Sequence, residues 1–243
     1  MARRRLVVAD IHGQIDIFRH IADFLMESAD RDRKIEIGFV GDYGDRGKSG
    51  EFNGKWYEDI GSRLVYEKLF DLREHFRKKK IDHFFLRGNH ERDLMGWIEH
   101  ESLTTAKYTK DLRKTEEGLR AEPSIVEGVM AFLEQTTLYH VDEKEKLLFV
   151  HGGVDPEKEN ILESDPTYFL WARDHFYGSA RRYPYRVIFG HTKMRVPMVM
   201  ADRIGIDGGA YENGWLNVLS LEGSRAEILS FNAEGDMITR YKE

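Results

Sequence analysis

Five short apolar runs in this chain each end in a small cluster of Asp, His, Asn and Gly, and nothing else in the sequence constrains the fold as much. The run Leu6 to Ala9 leads into Asp10-Ile11-His12-Gly13. Ile35 to Val40 leads into Gly41-Asp42-Tyr43-Gly44-Asp45-Arg46-Gly47, and Ile81 to Leu86 into Arg87-Gly88-Asn89-His90-Glu91. Leu147 to Val150 ends in His151-Gly152-Gly153, and Arg186 to Phe189 in Gly190-His191. Short apolar runs bounded by turn residues read as buried strands. In α/β proteins, ligands bind beyond the carboxyl ends of the strands, so the five turns can converge on one site.

Between the first three runs the pattern changes to helical spacing. Ile17, Ile21, Phe24 and Leu25 line one amphipathic helix, and Ile60, Leu64, Leu72 and Phe76 a second. This βαβαβ order favours a parallel sheet with helices on it. The stretch near 92–137 reads as a helical elaboration, with Pro123 opening a helix whose buried face is Ile125, Val126, Val129, Met130 and Leu133. Beyond Leu138, short strands separated by turn residues predict a more antiparallel region: Leu147 to Val150, Arg186 to Phe189, Met198 to Met200, Arg203 to Ile206, Trp215 to Leu221 and Glu227 to Phe231. At 243 residues the chain is near the upper end of what one core carries, so the expectation is a single domain over 1–243.

The turn residues carry recognisable chemistry. Asp10 and His12 are one residue apart, so both can face one side of an extended strand end. With Asp42, Asn89, His151 and His191 they make six O/N ligands, a number that suits two bridged metal ions. Mixed imidazole and carboxylate donors favour manganese, iron or zinc over magnesium or calcium. Two such ions form the usual clamp for phosphate-ester hydrolysis. The chain has no cysteine and ten histidines, which excludes disulfides, thiolate metal sites and a cysteine nucleophile. The absence of cysteine is also consistent with a reducing cytoplasm. No segment resembles a secretory signal or a membrane span. With 37 basic and 43 acidic residues the net charge is −6, which disfavours a long nucleic-acid partner. With each residue at roughly 1 in 20, Gly-Asn-His-Glu alone would arise by chance in about 0.1–0.2% of chains this long.

All five motifs in this order resemble the PPP family of metallophosphoesterases, the serine/threonine phosphoprotein phosphatases and their bacterial relatives. Leu170-Trp171-Ala172-Arg173-Asp174 and Ile204-Gly205-Ile206-Asp207-Gly208-Gly209-Ala210 resemble the small bacterial members in particular. The likeness runs from about Leu6 to Leu221. It implies an α/β fold of the calcineurin-like kind: a two-sheet β-sandwich flanked by helices, with a dinuclear metal site at the carboxyl edge of the strands. Carried over motif by motif, Asp10, His12 and Asp42 would hold one ion. Asp42, Asn89, His151 and His191 would hold the other, with manganese expected first and iron or zinc as the other candidates. The resemblance further implies in-line attack by a metal-bridging hydroxide. His90 would be general acid, Asp45 would orient it, and Arg46 and Arg173 would grip the phosphate. Ala9 stands where the family usually has Gly, and Gly44 where an apolar residue is common. The segment near 48–57 reads as an insertion whose Phe52, Trp56 and Tyr57 could form a substrate wall or stack on a base.

Bland alternatives exist for single residues. Asp10 could cap a helix, Asp45 and Arg46 could be a surface ion pair, and Arg173 could pair with Asp174 or Glu163. Asp207 is equally a turn residue or a support for the metal site. The first expectation is a protein serine/threonine phosphatase, acting on a phosphorylated protein or small phosphoester as a monomer. The alternative keeps the site and changes the substrate, to diadenosine polyphosphates or 2′,3′-phosphorylated nucleic-acid ends. A non-catalytic phosphate-binding scaffold is remote, because every ligand, acid and arginine position is filled.

Overall fold

The computed structural model describes residues 2–100 and 106–242. It opens with β1 (Arg4–Val8), α1 (Ile15–Arg31) and β2 (Glu36–Phe39). A small hairpin of β3 (Gly50–Phe52) and β4 (Lys55–Tyr57) precedes α2 (Gly61–Lys79) and β5 (Asp82–Phe85). Then come α3 (Asn89–His100), α4 (Ala106–Leu119) and α5 (Pro123–Glu134), with 101–105 of the predicted helical stretch outside the described residues. The second half carries β6 (Tyr139–Asp142), β7 (Leu147–Val150), α6 (Pro166–Trp171), α7 (Asp174–Tyr177), β8 (Arg186–Phe189), β9 (Met198–Val199) and β10 (Arg203–Gly205). It closes with α8 (Ala210–Asn213), β11 (Leu216–Glu222), β12 (Arg225–Phe231) and β13 (Met237–Lys242).

Two sheets result. The larger runs β13-β12-β11-β1-β2-β5, and the second runs β6-β7-β8-β10-β9. β1, β2 and β5 pair in parallel, as the βαβαβ order predicts, and β11, β12 and β13 form an antiparallel meander beside β1. Against the expectation of a more antiparallel second half, β7, β8 and β10 pair in parallel, because β7 runs to β8 through α6 and α7 and not through a tight hairpin. The sheets meet face to face: Phe84 of β5 lies 5.0 Å from Phe149 of β7, ring centre to ring centre. Along β7 the side chains alternate as a strand requires. Leu147 and Phe149 join the core shared with the first sheet, while Leu148 and Val150 join a second cluster with Phe169 and Phe176 from α6 and α7. This is the helix-flanked sandwich that the family resemblance implied. The helices lie on it through aromatic contacts: Phe18 of α1 on Phe39, Phe24 on Phe231, and Phe132 of α5 on Phe85.

The pattern reading missed some strands for physical reasons. Every residue of β6 is only half-buried and most of β13 is exposed, so neither shows an apolar run. The α2 face is rotated relative to expectation: Val65, Leu69, Leu72 and Phe76 are buried and Leu64 is only half-buried. The hairpin of β3 and β4 forms inside the predicted insertion. It is tied to α2 by the buried Arg63, whose guanidinium lies 3.7 Å from the Phe52 ring centre and pairs with Glu67 and Glu122.

One buried charge joins the two sheets. Arg5 of β1 is 1% exposed; it pairs with Glu36 of β2 at 2.7 Å, with Glu145 at 2.8 Å and with Asp142 of β6. Burial alone would raise the Glu36 carboxyl, but hydrogen bonds from His140 and Arg5 bring it down to about 2. A depressed carboxyl contributes stability above its unfolded value, and loses that contribution as pH falls through its folded value. Stability is therefore expected to drop between about pH 4.5 and 2, and Glu36→Gln to flatten that drop in chemical-denaturation titrations. Arg5→Ala strands a buried carboxylate and should cost about 3–5 kcal/mol at neutral pH. A loss under about 1 kcal/mol would show that the cluster contributes little.

Candidate metal centre

The five strand-end turns do converge. His12, Asp42, Arg46, Asn89, His90, Arg173 and His191 line one pocket, with Asp10, Asp45 and His151 buried immediately behind it. All six predicted ligands, Asp10, His12, Asp42, Asn89, His151 and His191, are buried. Two triads bring ligand atoms within 4.8 Å of one another: His12, Asp42 and His90, and Asp42, His151 and His191. Asp42 is common to both. The first triad contains His90, where the resemblance implied Asp10.

Backbone strain positions these groups. His12, Asp42, Asp45, Arg46 and His191 all have left-handed φ, between 47° and 70°. Such conformations cost roughly 1–2 kcal/mol in a non-glycine residue and gather at functional sites. Glu91 holds the second turn in place. Its buried carboxylate accepts the backbone N–H of Asp42 at 2.6 Å, of Tyr43 at 2.8 Å and of Gly88 at 2.9 Å. Two glycines make room for the carboxylates. A Cβ on Gly88 would stand 2.1 Å from Asp42 Oδ1, and one on Gly190 2.1 Å from Asp10 Oδ1.

The hydrogen bonding is incomplete in a way that suits cations. Asp10 Oδ2 accepts the His191 N–H at 2.8 Å, but Asp10 Oδ1 and His191 Nε2 are buried with no hydrogen-bond partner among the described residues. His151 Nδ1 lies 2.9 Å from the Val40 carbonyl, an acceptor, so that nitrogen carries the proton and donates. Its Nε2 then presents a lone pair towards Asn89 Oδ1 at 2.9 Å and Asp42 Oδ1 at 3.4 Å. Three lone pairs aimed at one another repel unless a cation lies between them. A backbone carbonyl that fixes the tautomer of a histidine is also a recurrent support for metal ligation.

The titration behaviour agrees. Burial holds the His12 imidazole at about 3 and His191 at about 2, and burial likewise lowers His151. These rings are neutral at pH 7, the form that binds metal. Burial, reinforced by Asp207 and Asp42, pushes Asp10 well above the usual carboxylate range. Burial would also raise Asp42, but His151, His90, His12 and His191 around it hold it below that range. Asp207 is lifted to about 6, chiefly by burial. Crowded carboxyls beside neutral imidazoles make a site that a divalent ion would relieve. The donor set therefore fits the metals that this chemistry calls for, and Asp10, His12, Asp42, Asn89, His151 and His191 are the residues that would hold them.

Beside the ligands, His90 Nδ1 sits 2.6 Å from Asp45 Oδ2. Burial opposes the imidazolium of His90, but Asp42 and Asp45 outweigh it and raise its pKa. Arg46 reaches His12 Nε2 at 3.1 Å and His90 Nε2 at 3.2 Å. Arg173 donates to the His191 carbonyl at 3.4 Å rather than pairing with Asp174 or Glu163. Asp207 accepts the Gly209 N–H at 2.7 Å and also lines the pocket, so both readings of it hold geometrically. Sequence reading missed Thr115 of α4, whose hydroxyl bonds Asp59 at 2.9 Å beside Asp45, and Lys193 and Tyr211 at the pocket mouth. Lys193 follows Gly190-His191 by two residues and Tyr211 follows Gly208-Gly209, and this proximity to the motifs was the only signal for them.

Residues 3–223 match the family described as calcineurin-like phosphoesterase. The chain is 24% identical to the asymmetrical bis(5'-nucleosyl)-tetraphosphatase PrpE of Bacillus thuringiensis (strain Al Hakam), over 88% of each chain. It is 25% identical to the protein of the same name from Bacillus cereus (strain 03BB102), again over 88% of each. Among solved structures, it superposes with a TM-score of 0.65 and 16% identity on a cold-active protein-tyrosine phosphatase of a psychrophilic Shewanella, over 99% of this chain and 81% of the other. At that identity the match speaks for the fold.

A ligand that binds only the folded state at 100 times its dissociation constant adds about 2.7 kcal/mol of stability. Manganese should therefore raise the melting temperature of the apo-protein, and a chelator should reverse the rise. Asp42→Asn should lose most of the shift, because it weakens both triads. An unchanged shift in that variant would place the metal elsewhere.

Proposed function

The chain belongs to the calcineurin-like phosphoesterase family, and from that premise we propose that it is a metal-dependent hydrolase of dinucleoside polyphosphates. The observation behind the chemistry is that Asp10 Oδ1 and His191 Nε2 are buried without a hydrogen-bond partner among the described residues, beside the His151–Asn89–Asp42 lone pairs, an arrangement that divalent cations would satisfy. The observation behind the substrate is the likeness to asymmetrical bis(5'-nucleosyl)-tetraphosphatases over 88% of both chains. This favours the nucleotide alternative over the phosphoserine or phosphothreonine substrate that the motifs first suggest.

Two divalent ions, with manganese proposed first, would polarise the scissile phosphate and supply a hydroxide at neutral pH. The rest falls to side chains. Arg46 and Arg173 bind non-bridging oxygens through their planar guanidinium forks. Arg46 stands 3.2 Å from His90 Nε2, so drawing the guanidinium onto a phosphate clears that nitrogen to present its proton to the substrate. Asp45 holds His90 through Nδ1 and favours the imidazolium, leaving Nε2–H to protonate the departing phosphate oxygen.

Asymmetric cleavage of a four-phosphate bridge yields a nucleoside triphosphate and a nucleoside monophosphate. Chromatography of a diadenosine tetraphosphate digest should show both, with manganese and not after chelation. Release of phosphate from phosphopeptides, with the dinucleotide untouched, would return the protein-phosphatase reading. Loss of a general acid typically costs about 10²–10⁴-fold in rate. His90→Ala should show a loss in that range; because His90 also stands in one of the two triads, metal content retained in the variant would separate the acid role from ligation, and unchanged turnover would remove His90 from the acid role.

A further inference from the structure

The pocket mouth carries one more cation than the reacting phosphate needs. Arg46 and Arg173, the two groups proposed to grip that phosphate, line the pocket together with Lys193 and Tyr211. Tyr211 links the cations. Its ring lies edge-on to His12 at 5.1 Å, the Arg46 guanidinium is 4.6 Å from its centre, and the Lys193 ammonium is 5.0 Å from the same centre. Both charges therefore belong to one rim. The ammonium is 2.8 Å from the Tyr211 hydroxyl and pairs with Glu212 of α8, on the solvent side where Glu212 is 55% exposed. The Lys193 stem rests on the backbone at Gly209, where an added Cβ would approach it to 3.2 Å.

We propose that Lys193, seated on Tyr211, forms a subsite for the phosphates beyond the one attacked, and so selects a polyphosphate chain over a simple phosphomonoester. The inference rests on the dinucleotide reading of the same site and deepens it. A monoester brings one phosphoryl group, which the two arginines and the ligand cluster already surround. A linked polyphosphate brings further anionic groups that must leave the pocket through its mouth, where Lys193 stands. The ammonium is a compact charge on a flexible stem, suited to a phosphate whose orientation is not fixed. Its partner Glu212 is exposed, so the ion pair given up on binding is a weak one. Tyr211 is a positioning residue here: it holds Lys193 by its hydroxyl and Arg46 by its ring.

Two measurements on the manganese-loaded protein test this. The first compares kcat/KM for diadenosine tetraphosphate and for an aryl phosphate monoester in wild type, Lys193→Gln and Lys193→Arg. Losing one charge-assisted contact should lower the tetraphosphate value by about tenfold, mostly through KM, and the monoester value by clearly less. Lys193→Arg should recover most of the difference. Equal losses on both substrates, or none on the tetraphosphate, would overturn the subsite. The second measures binding of inorganic tripolyphosphate and of orthophosphate by calorimetry, with manganese in excess of both. Tripolyphosphate should bind more tightly than orthophosphate, and Lys193→Gln should remove that preference. No preference in wild type would overturn the subsite whatever the enzyme cleaves. A preference that depends on Lys193, in a protein that leaves the dinucleotide intact, would uphold the subsite and defeat the proposed substrate.

Discussion

The Glu91 carboxylate accepts three backbone N–H groups from two different turns, and the arrangement of the centre depends on that one group. Asp42 N, Tyr43 N and Gly88 N all point at it within 2.9 Å. Burial and the neighbouring Asp42 raise the Glu91 carboxyl to about 7, so its hold on the turns comes from satisfying buried N–H groups, each of which would cost about 1–3 kcal/mol if left without a partner. The strain is present: Asp42, Asp45 and Arg46 all lie in the left-handed region. Asp42 is thereby aimed at His12, His90 and His151 together, at 3.5, 3.9 and 3.4 Å. A relaxed strand end would not point one carboxylate at three histidines from three different segments.

The two halves of the site come from the two sheets. β1, β2 and β5 deliver Asp10, His12, Asp42 and Asn89, while β7 and β8 deliver His151 and His191. The relative position of the sheets therefore decides whether the ligands meet. Near the opposite ends of these strands the same problem is solved by charge: Arg5 of the first sheet is held by Glu36 beside it and by Asp142 of the second. At the ligand end, Asp10 accepts a hydrogen bond from the His191 N–H and the Val40 carbonyl accepts one from His151 Nδ1–H, so polar contacts cross between the sheets there as well. The apolar middle, with Phe84 against Phe149, supplies burial but little directional information.

The sequence made the site far more legible than the surroundings that shape it. Ligand types show directly as Asp, His and Asn after apolar runs, because chemistry selects residue identity. Glu91 was visible as the last residue of its motif but its role was not, since that role lies in backbone groups 48 and 49 positions away. Thr115 was invisible: a threonine in a charged helix carries no signal until α4 packs beside Asp59 and Asp45. The sandwich came from family resemblance alone, because β6 and β13 lack apolar runs and alternation cannot say which sheet a strand joins. Left-handed φ at His12 and His191 is likewise unreadable, because the pattern marks neither as a position where glycine would be natural.

Electrostatics explains how an acidic chain can attract a polyanion. The net charge of −6 acts at distance, where salt at physiological strength screens it over about 8 Å. Inside the pocket the balance differs. Asp42 is held ionised there beside neutral imidazoles, while burial raises Asp10 and Asp207 towards their neutral forms, so without cations the floor offers phosphate no positive charge. Two divalent ions would reverse its sign. Arg46, Arg173 and Lys193 extend the positive field from that floor to the mouth. Phosphate attraction and metal content are then one property, because the cationic rim alone faces a floor of like charge to the substrate. The same carboxylates that would make the metal-free site inhospitable to phosphate would draw divalent ions into it, so on the proposed chemistry metal binding comes before productive binding of a phosphate ester.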